Sequence, residues 1–350
     1  MLAALWMWLR PGHQRGTLSC ITPFLQEFEM SDHREYALKL SLAISPDPTP
    51  EELIYARQLG VDCVYTWVRD EQRTVAYLTE LRHKVEDAGL MLYNVGSMSV
   101  GKSDKIHLAL PGRDEDIATF CDFVQALGKA GIGVTTFTWE PDKVWSSEPG
   151  ETRGTPSRRV DLAELKSRPY THGRSYTEAE LWDNFAYLME RLIPVAKDAG
   201  VRLALHPNDP PTDALGGIPC LIRNIDAYRK AFRIADSPAL GMEFCTGCWL
   251  EGGEAFGDIL EGIREFQADG RILIVHFRNV SAPLPNFVET FLDNGYGDMY
   301  AILKTLLDTG YVGTVTPDHM PRFVDPYNAG GRTAYAIGYI KALLQCALRA

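Results

Sequence analysis

Eight short runs of β-branched and apolar residues alternate with longer amphipathic stretches along this chain. Such alternation is the pattern of repeated βα units around a parallel sheet. The strand candidates are residues 38–44, 63–68, 91–98, 134–139, 203–207, 240–245, 272–278 and 314–318. Helix starts are written between them: Thr49-Pro50-Glu51-Glu52 and Thr177-Glu178-Ala179-Glu180 both have the form of a capping box. Gly89, Gly131, Gly200 and Gly310 follow helix candidates where a left-handed residue turns the chain into the next strand. No glycine-rich nucleotide fingerprint accompanies the units, and eight parallel strands close on themselves without an edge. The expectation is therefore a single-domain (β/α)8 barrel over residues 36–350.

Two segments interrupt the repeat. Residues 1–35 read as an extension outside the fold, disordered or peripheral, and Met30 is an alternative start. Their apolar beginning, MLAALWMWLR, is too short to span a bilayer and lacks a basic leader. Residues 140–175, rich in Pro, Gly, Arg and Ser, form a long loop over the catalytic face, and residues 321–332 have the same character.

A formal charge of -11 repels phosphate backbones and anionic lipid, which sets aside nucleic acid and membrane surfaces as partners. Seven scattered cysteines do not make a secreted disulfide framework, and a reducing cytoplasm is the expected compartment. A barrel of this kind is also expected to self-associate into a homo-oligomer through its outer helices.

Four potential metal ligands end four consecutive strand candidates: His206 in RLALH, Cys245 in GMEFC, His276 in ILIVH and Asp318 in GTVTPD. Strand C-termini surround the mouth of such a barrel, where its active sites lie. Two imidazoles, a thiolate and a carboxylate suit Zn, Fe(II) or Mn(II), and the sulfur argues against Mg or Ca. His319, next to Asp318, is the candidate general acid or base. Arg278 is the candidate cation for a substrate carboxylate, and Asn279, Asn208 and Asp209 are candidates for hydroxyl contacts. Glu243 shares a strand face with Cys245, as a supporting partner or extra ligand. Cys245 and Cys248 form a C-x-x-C with no second pair to complete a zinc knuckle. His107 and His172 read first as loop residues without chemistry.

From residue 90 to the C-terminus the chain resembles the mannonate dehydratases of the xylose-isomerase-like TIM-barrel group. The phrases that carry the likeness include ELWDNFAYLMERLIPVAKDAGVRLALHPNDPP, DSPALGMEFCTG, VHFRNV and GDMYAILKTLLDTGYVGTVTPDH. The resemblance implies one Mn(II) or Fe(II) per chain on His206, Cys245, His276 and Asp318, with His319 as a catalytic group. It also implies that a sugar acid such as D-mannonate loses water to give a 2-keto-3-deoxy acid. The family's Arg-Trp-Tyr-Gly, Asp-Trp-Thr-Arg and His-Glu-Asp-Ile-Lys phrases are replaced here by KLSLAISPDPTP, FTWEP and KSDKI. In the altered lid FVDPYNAGGRTAY, Tyr327 is the candidate for the family's catalytic tyrosine, with Tyr335 as the other choice. These departures fall at substrate-facing loops, so two further readings stay open: a metal-dependent sugar isomerase or epimerase, and a non-catalytic sugar-binding barrel.

Overall fold

The computed structural model describes residues 37–350, apart from 142, 143 and 327. The expected extension, residues 1–35, and the candidate Tyr327 therefore lie outside the described residues. Eight parallel strands form the barrel: β1 Lys39–Ala43, β2 Cys63–Trp67, β3 Met91–Gly96, β4 Val134–Thr138, β5 Arg202–His206, β6 Leu240–Cys245, β7 Ile272–Phe277 and β8 Thr314–Pro317. Every strand end falls within two residues of its expected position. The principal outer helices are α1 Pro50–Leu59, α2 Val75–Asp87, α3 Arg113–Lys129, α4 Glu178–Ala199, α5 Ile225–Ala235, α6 Ile259–Ala268, α7 Met299–Asp308 and α8 Asn328–Ala347.

The hydrogen-bonded order runs β3-β2-β1-β8-β7-β6-β5-β4. The seam between β3 and β4 is stitched by the Thr135 hydroxyl, which donates to the Val95 carbonyl at 2.8 Å. Strands flanked by helices on one side and by barrel filling on the other are apolar on both faces, and all six residues of β6 are buried. The helices cover the barrel with one stripe each: in α4, Leu181, Phe185, Leu188, Leu192 and Ala196 are buried at helical spacing.

Local chemistry sets the element ends. Thr177 and Glu180 complete the reciprocal capping box of α4. At α1 only half the device forms: Thr49 caps the Glu52 N–H, while the Glu52 carboxylate accepts from Ser45 N instead. Gly89, Gly131, Gly200 and Gly310 all take φ between 66° and 77°, where a Cβ would be strained.

Residues 140–175 are more structured than expected. They form a hairpin of Gly150–Thr152 with Thr155–Ser157, a strand Arg159–Asp161 and a short helix Leu162–Lys166. Arg159–Asp161 pairs antiparallel with Asn286–Thr290, from the connection after β7, which pairs in turn with Asn279–Val280. This small sheet ties together the excursions that follow β4 and β7, and so fixes the neighbouring Arg158. The glycine pair of the 321–332 tail also belongs to α8. No helix among the described residues is long and apolar enough to cross a membrane.

His107 is buried in the short helix Asp104–Leu108, 4.4 Å from the Trp139 ring between centroids, and its Nδ1 has no hydrogen-bond partner. Burial, helped by the Lys102 charge, pulls its pKa down to about 3. A histidine held neutral in the fold takes up its proton more readily when unfolded. Stability is thus full above the unfolded value near 6.5 and falls as pH drops toward 3. His107→Phe is expected to remove about 2 kcal/mol of the stability loss between pH 7 and pH 5, read from urea unfolding at both pH values.

Candidate metal centre

The register of the barrel brings the four candidate ligands to its mouth. Cys245 on β6 pairs with His276 on β7, and His276 pairs with Thr316 on β8. Asp318 stands two residues beyond Thr316 and so shares its face. Cys245 Sγ, an imidazole nitrogen of His276 and a carboxylate oxygen of Asp318 all lie within 4.8 Å of one another, and His206 clusters in the same way with Cys245 and Cys248.

The hydrogen bonds orient these donors as a metal would require. His206 Nδ1 lies 2.7 Å from the Pro207 carbonyl, which makes Nδ1 the donor and leaves Nε2 with the lone pair. His276 Nε2 lies 2.8 Å from Glu243 Oε1, and the other Glu243 oxygen accepts from the Thr136 hydroxyl. The remaining nitrogen, His276 Nδ1, is buried without a hydrogen-bond partner, 3.7 Å from Asp318 Oδ2. Buried polar atoms are rarely left so, and a cation between His276, Cys245 and Asp318 would satisfy it. The residues present therefore fit a divalent ion. Glu243→Gln is expected to weaken metal affinity about 10–100-fold by loosening the His276 ring, as measured by chelator competition.

Electrostatics favour the ligating forms. Burial opposes a Cys245 thiolate, but the Cys248 thiol, Arg278, His206 and His276 outweigh it and hold the sulfur well below its ordinary pKa. Burial likewise opposes the Asp318 carboxylate, and His319, His276 and Arg278 overcome it. Burial works against a charged His276, yet Glu243 and Asp318 raise its pKa well above that of a free imidazole. A bound metal would take the place of that proton.

Arg278 does not reach the cavity. It is fully buried, with Nη1 2.6 Å from Glu251 and 2.7 Å from Glu289, Nη2 2.9 Å from Asp209, and Nε 3.1 Å from Asp318. Its Nη2 also lies 3.4 Å from Cys245 Sγ and 3.5 Å from Cys248 Sγ. A guanidinium surrounded this way has no edge to offer a substrate carboxylate, so its placement departs from the expectation drawn from strand alternation. Gly247 makes its seat: a Cβ there would lie 2.3 Å from Arg278 Nε. Arg158 completes the cluster, 2.7 Å from Asp209 and 3.0 Å from Glu289. Glu251, pushed up by burial and by the Asp209 charge, sits well above the usual carboxylate range.

The other candidates divide. Asn279 is buried and donates to the Leu292 and Gly297 carbonyls, while Asn208 donates to the Trp139 carbonyl and accepts from Ile222 N. Both hold loops rather than face the cavity. Asp209 and His319 line a cavity of about 380 Å³ together with His206, His276, Asp318 and Glu243. His319 is exposed, takes a left-handed φ of 45°, and places Nδ1 2.8 Å from Glu289 Oε1. The Asp318 charge, against burial and with help from Glu289, raises its pKa to about 9. Tyr335 donates to Asp293 from α8 and is not among the cavity's lining residues.

Comparison with known proteins adds a separate line. The family profile described as D-mannonate dehydratase (UxuA) matches residues 154–349, more than half of the chain. The chain belongs to the D-mannonate dehydratase family. The mannonate dehydratase of Thermotoga petrophila is 30% identical over 279 residues, covering 69% of this chain and 76% of that protein. The Enterococcus faecalis mannonate dehydratase is 29% identical over 283 residues, covering 70% and 77%. Among solved structures, mannonate dehydratase from Streptococcus suis superposes with a TM-score of 0.79 at 25% identity, over 89% of this chain and 95% of that one. An L-ribulose 3-epimerase, 16% identical with a TM-score of 0.57 over 89% and 96%, shares the fold.

Within this member of the D-mannonate dehydratase family, Arg158, Glu251 and Glu289 stand at or behind the site without having been marked by any motif, while Lys102 and Glu140 lie in the KSDKI and FTWEP phrases that replace family motifs. One signal was readable: in NFVET, Phe287 and Glu289 alternate onto one face. A carboxylate sharing a strand face with a core phenylalanine needs a buried cation.

Proposed function

We propose that this protein is a metal-dependent dehydratase that removes water from a sugar acid of the mannonate type to give a 2-keto-3-deoxy acid. The observation that carries the reading is the convergence of a His, Cys, His, Asp donor set at the barrel mouth in a chain of the D-mannonate dehydratase family. One Mn(II) or Fe(II) per chain belongs to the proposal, since mixed nitrogen, sulfur and oxygen donors suit first-row divalent ions.

His206, Cys245, His276 and Asp318 would hold the ion, and Glu243 would orient His276. When bound, it supplies Lewis-acid polarisation of the substrate's carboxylate and adjoining hydroxyl. His319, charged beside Asp318 and Glu289, would hand a proton to the hydroxyl leaving C3 as water. A base on the opposite face of the substrate takes the C2 proton, and the C–H electron pair forms the C2–C3 double bond of an enol that becomes the 2-keto acid. Arg278 and Arg158 pair with Glu289 and favour the anionic forms of Asp209, Asp318 and the Cys245 sulfur, which supports a role beneath the site. A reducing cytoplasm and a homo-oligomer complete the proposal, the first supported by the thiols of Cys121, Cys220, Cys245, Cys248 and Cys346, none of them in a disulfide.

Protein loaded anaerobically with Mn(II) or Fe(II) is expected to convert D-mannonate, or another member of an aldonic acid panel, to a 2-keto-3-deoxy acid. Absence of turnover with every acid removes the reading. Deuterium exchange at a substrate carbon without loss of water transfers it to an isomerase.

A further inference from the structure

The cavity over the metal centre has two unlike halves. The ligands come from β5 to β8, whereas the facing wall comes from the ends of β2 to β4 and is largely apolar and aromatic, with Tyr65, Trp67 and Phe137. Among the residues lining that wall the charged ones are Lys102 and Glu140. Glu140 follows β4 and His319 follows β8, so they stand on opposite sides of an eight-stranded barrel.

Lys102 Nζ donates to Glu140 Oε2 at 2.6 Å, and both side chains are largely buried. The other Glu140 oxygen accepts from Asp209 N at 3.3 Å, which anchors the carboxylate. An ammonium has three donors, of which the Glu140 contact uses one, and the carboxylate has lone pairs to spare. Lys102 also borders an outer hollow of about 820 Å³. The pair therefore stands at the threshold of the cavity, across from the ligands.

From this arrangement we infer that Lys102 and Glu140 bind the hydroxyl tail of the substrate, Lys102 donating to one hydroxyl and Glu140 accepting from its neighbour. The inference rests on the dehydratase reading, which puts the acid end of the substrate at the metal. A six-carbon acid fixed there must extend its remaining hydroxyls across the cavity, and a donor beside an acceptor matches a vicinal diol. The pair then sets preference for long polyhydroxy acids over short ones.

The test is calorimetric binding to the metal-loaded full chain, with D-mannonate and with glycerate, which has the same acid end and no tail. Lys102→Met and Glu140→Gln are each expected to weaken mannonate binding about tenfold and to leave glycerate within about twofold. Lys102→Arg should recover part of the loss, which a purely structural role would not require. Two separate variants keep the test open if one fails to fold. The inference is overturned if the mannonate-to-glycerate ratio is unchanged in both variants, if both ligands weaken equally, or if the wild type does not discriminate between them. Failure of dehydration with this binding pattern intact would count against the reaction and not against the contact.

Discussion

Replacing His276 by alanine is expected to strip the metal from the protein and lower turnover by at least about 10³-fold. The substitution removes the buried nitrogen that faces Cys245 and Asp318 without a hydrogen-bond partner and leaves Glu243, itself buried, facing a void where it had a charged neighbour. Both losses act on the same point, because Glu243 has no second imidazole to orient. The measurement is metal content per chain by elemental analysis, beside the rate of 2-keto-3-deoxy acid formation. Cys245→Ser is the milder companion. It keeps the shape of the site but exchanges a soft donor for a hard one, and should retain a weakly bound ion with altered preference. Full metal content in the His276→Ala protein would place the ion elsewhere.

The second large effect is expected at Arg278, and on the fold. Arg278→Met leaves Asp209, Glu289 and Asp318 in a buried space with Arg158, His276 and His319 to offset them. Removing one member of a buried ion cluster generally costs about 3–5 kcal/mol, because the surviving charges stay desolvated. Urea unfolding should show a loss of that size. The Cys245 thiolate also loses the cation beside it, so metal affinity should fall as well. Arg278→Lys is expected to rescue little: an ammonium cannot span Glu251, Glu289, Asp209 and Asp318 at once. If Arg278→Met is as stable as the wild type, the cluster does not hold the site together in the way described.

Much of this architecture could be read from the chain before any coordinate. The strands were legible because a parallel barrel strand is apolar on both faces, and because glycine marks most returns from helix to strand, with Asp236 in the left-handed position before β6. The four ligand candidates were legible for a related reason, since a His, Cys or Asp ending such a run has nowhere to point except the mouth. What the sequence concealed depends on pairing across long distances. Arg158 looks like one of several arginines in a polar loop until Arg159–Asp161 finds Asn286–Thr290 and fixes its direction. Arg278 was expected to meet the substrate carboxylate from the strand face it shares with His276, but the helix after Cys245 and the strand carrying Glu289 enclose it. Asn208 and Asn279 show the same effect on a smaller scale, their amides taken up by backbone groups of neighbouring loops. Lys102 and Glu140 lie in KSDKI and FTWEP, legible only as departures from the family's phrases, and barrel closure puts them across from His319.

X-ray absorption at the metal edge of the loaded wild-type protein tests the centre most directly. A thiolate-ligated centre predicts one sulfur scatterer among nitrogen and oxygen neighbours, lost in Cys245→Ser. A shell of nitrogen and oxygen alone, unchanged by that substitution, would contradict it.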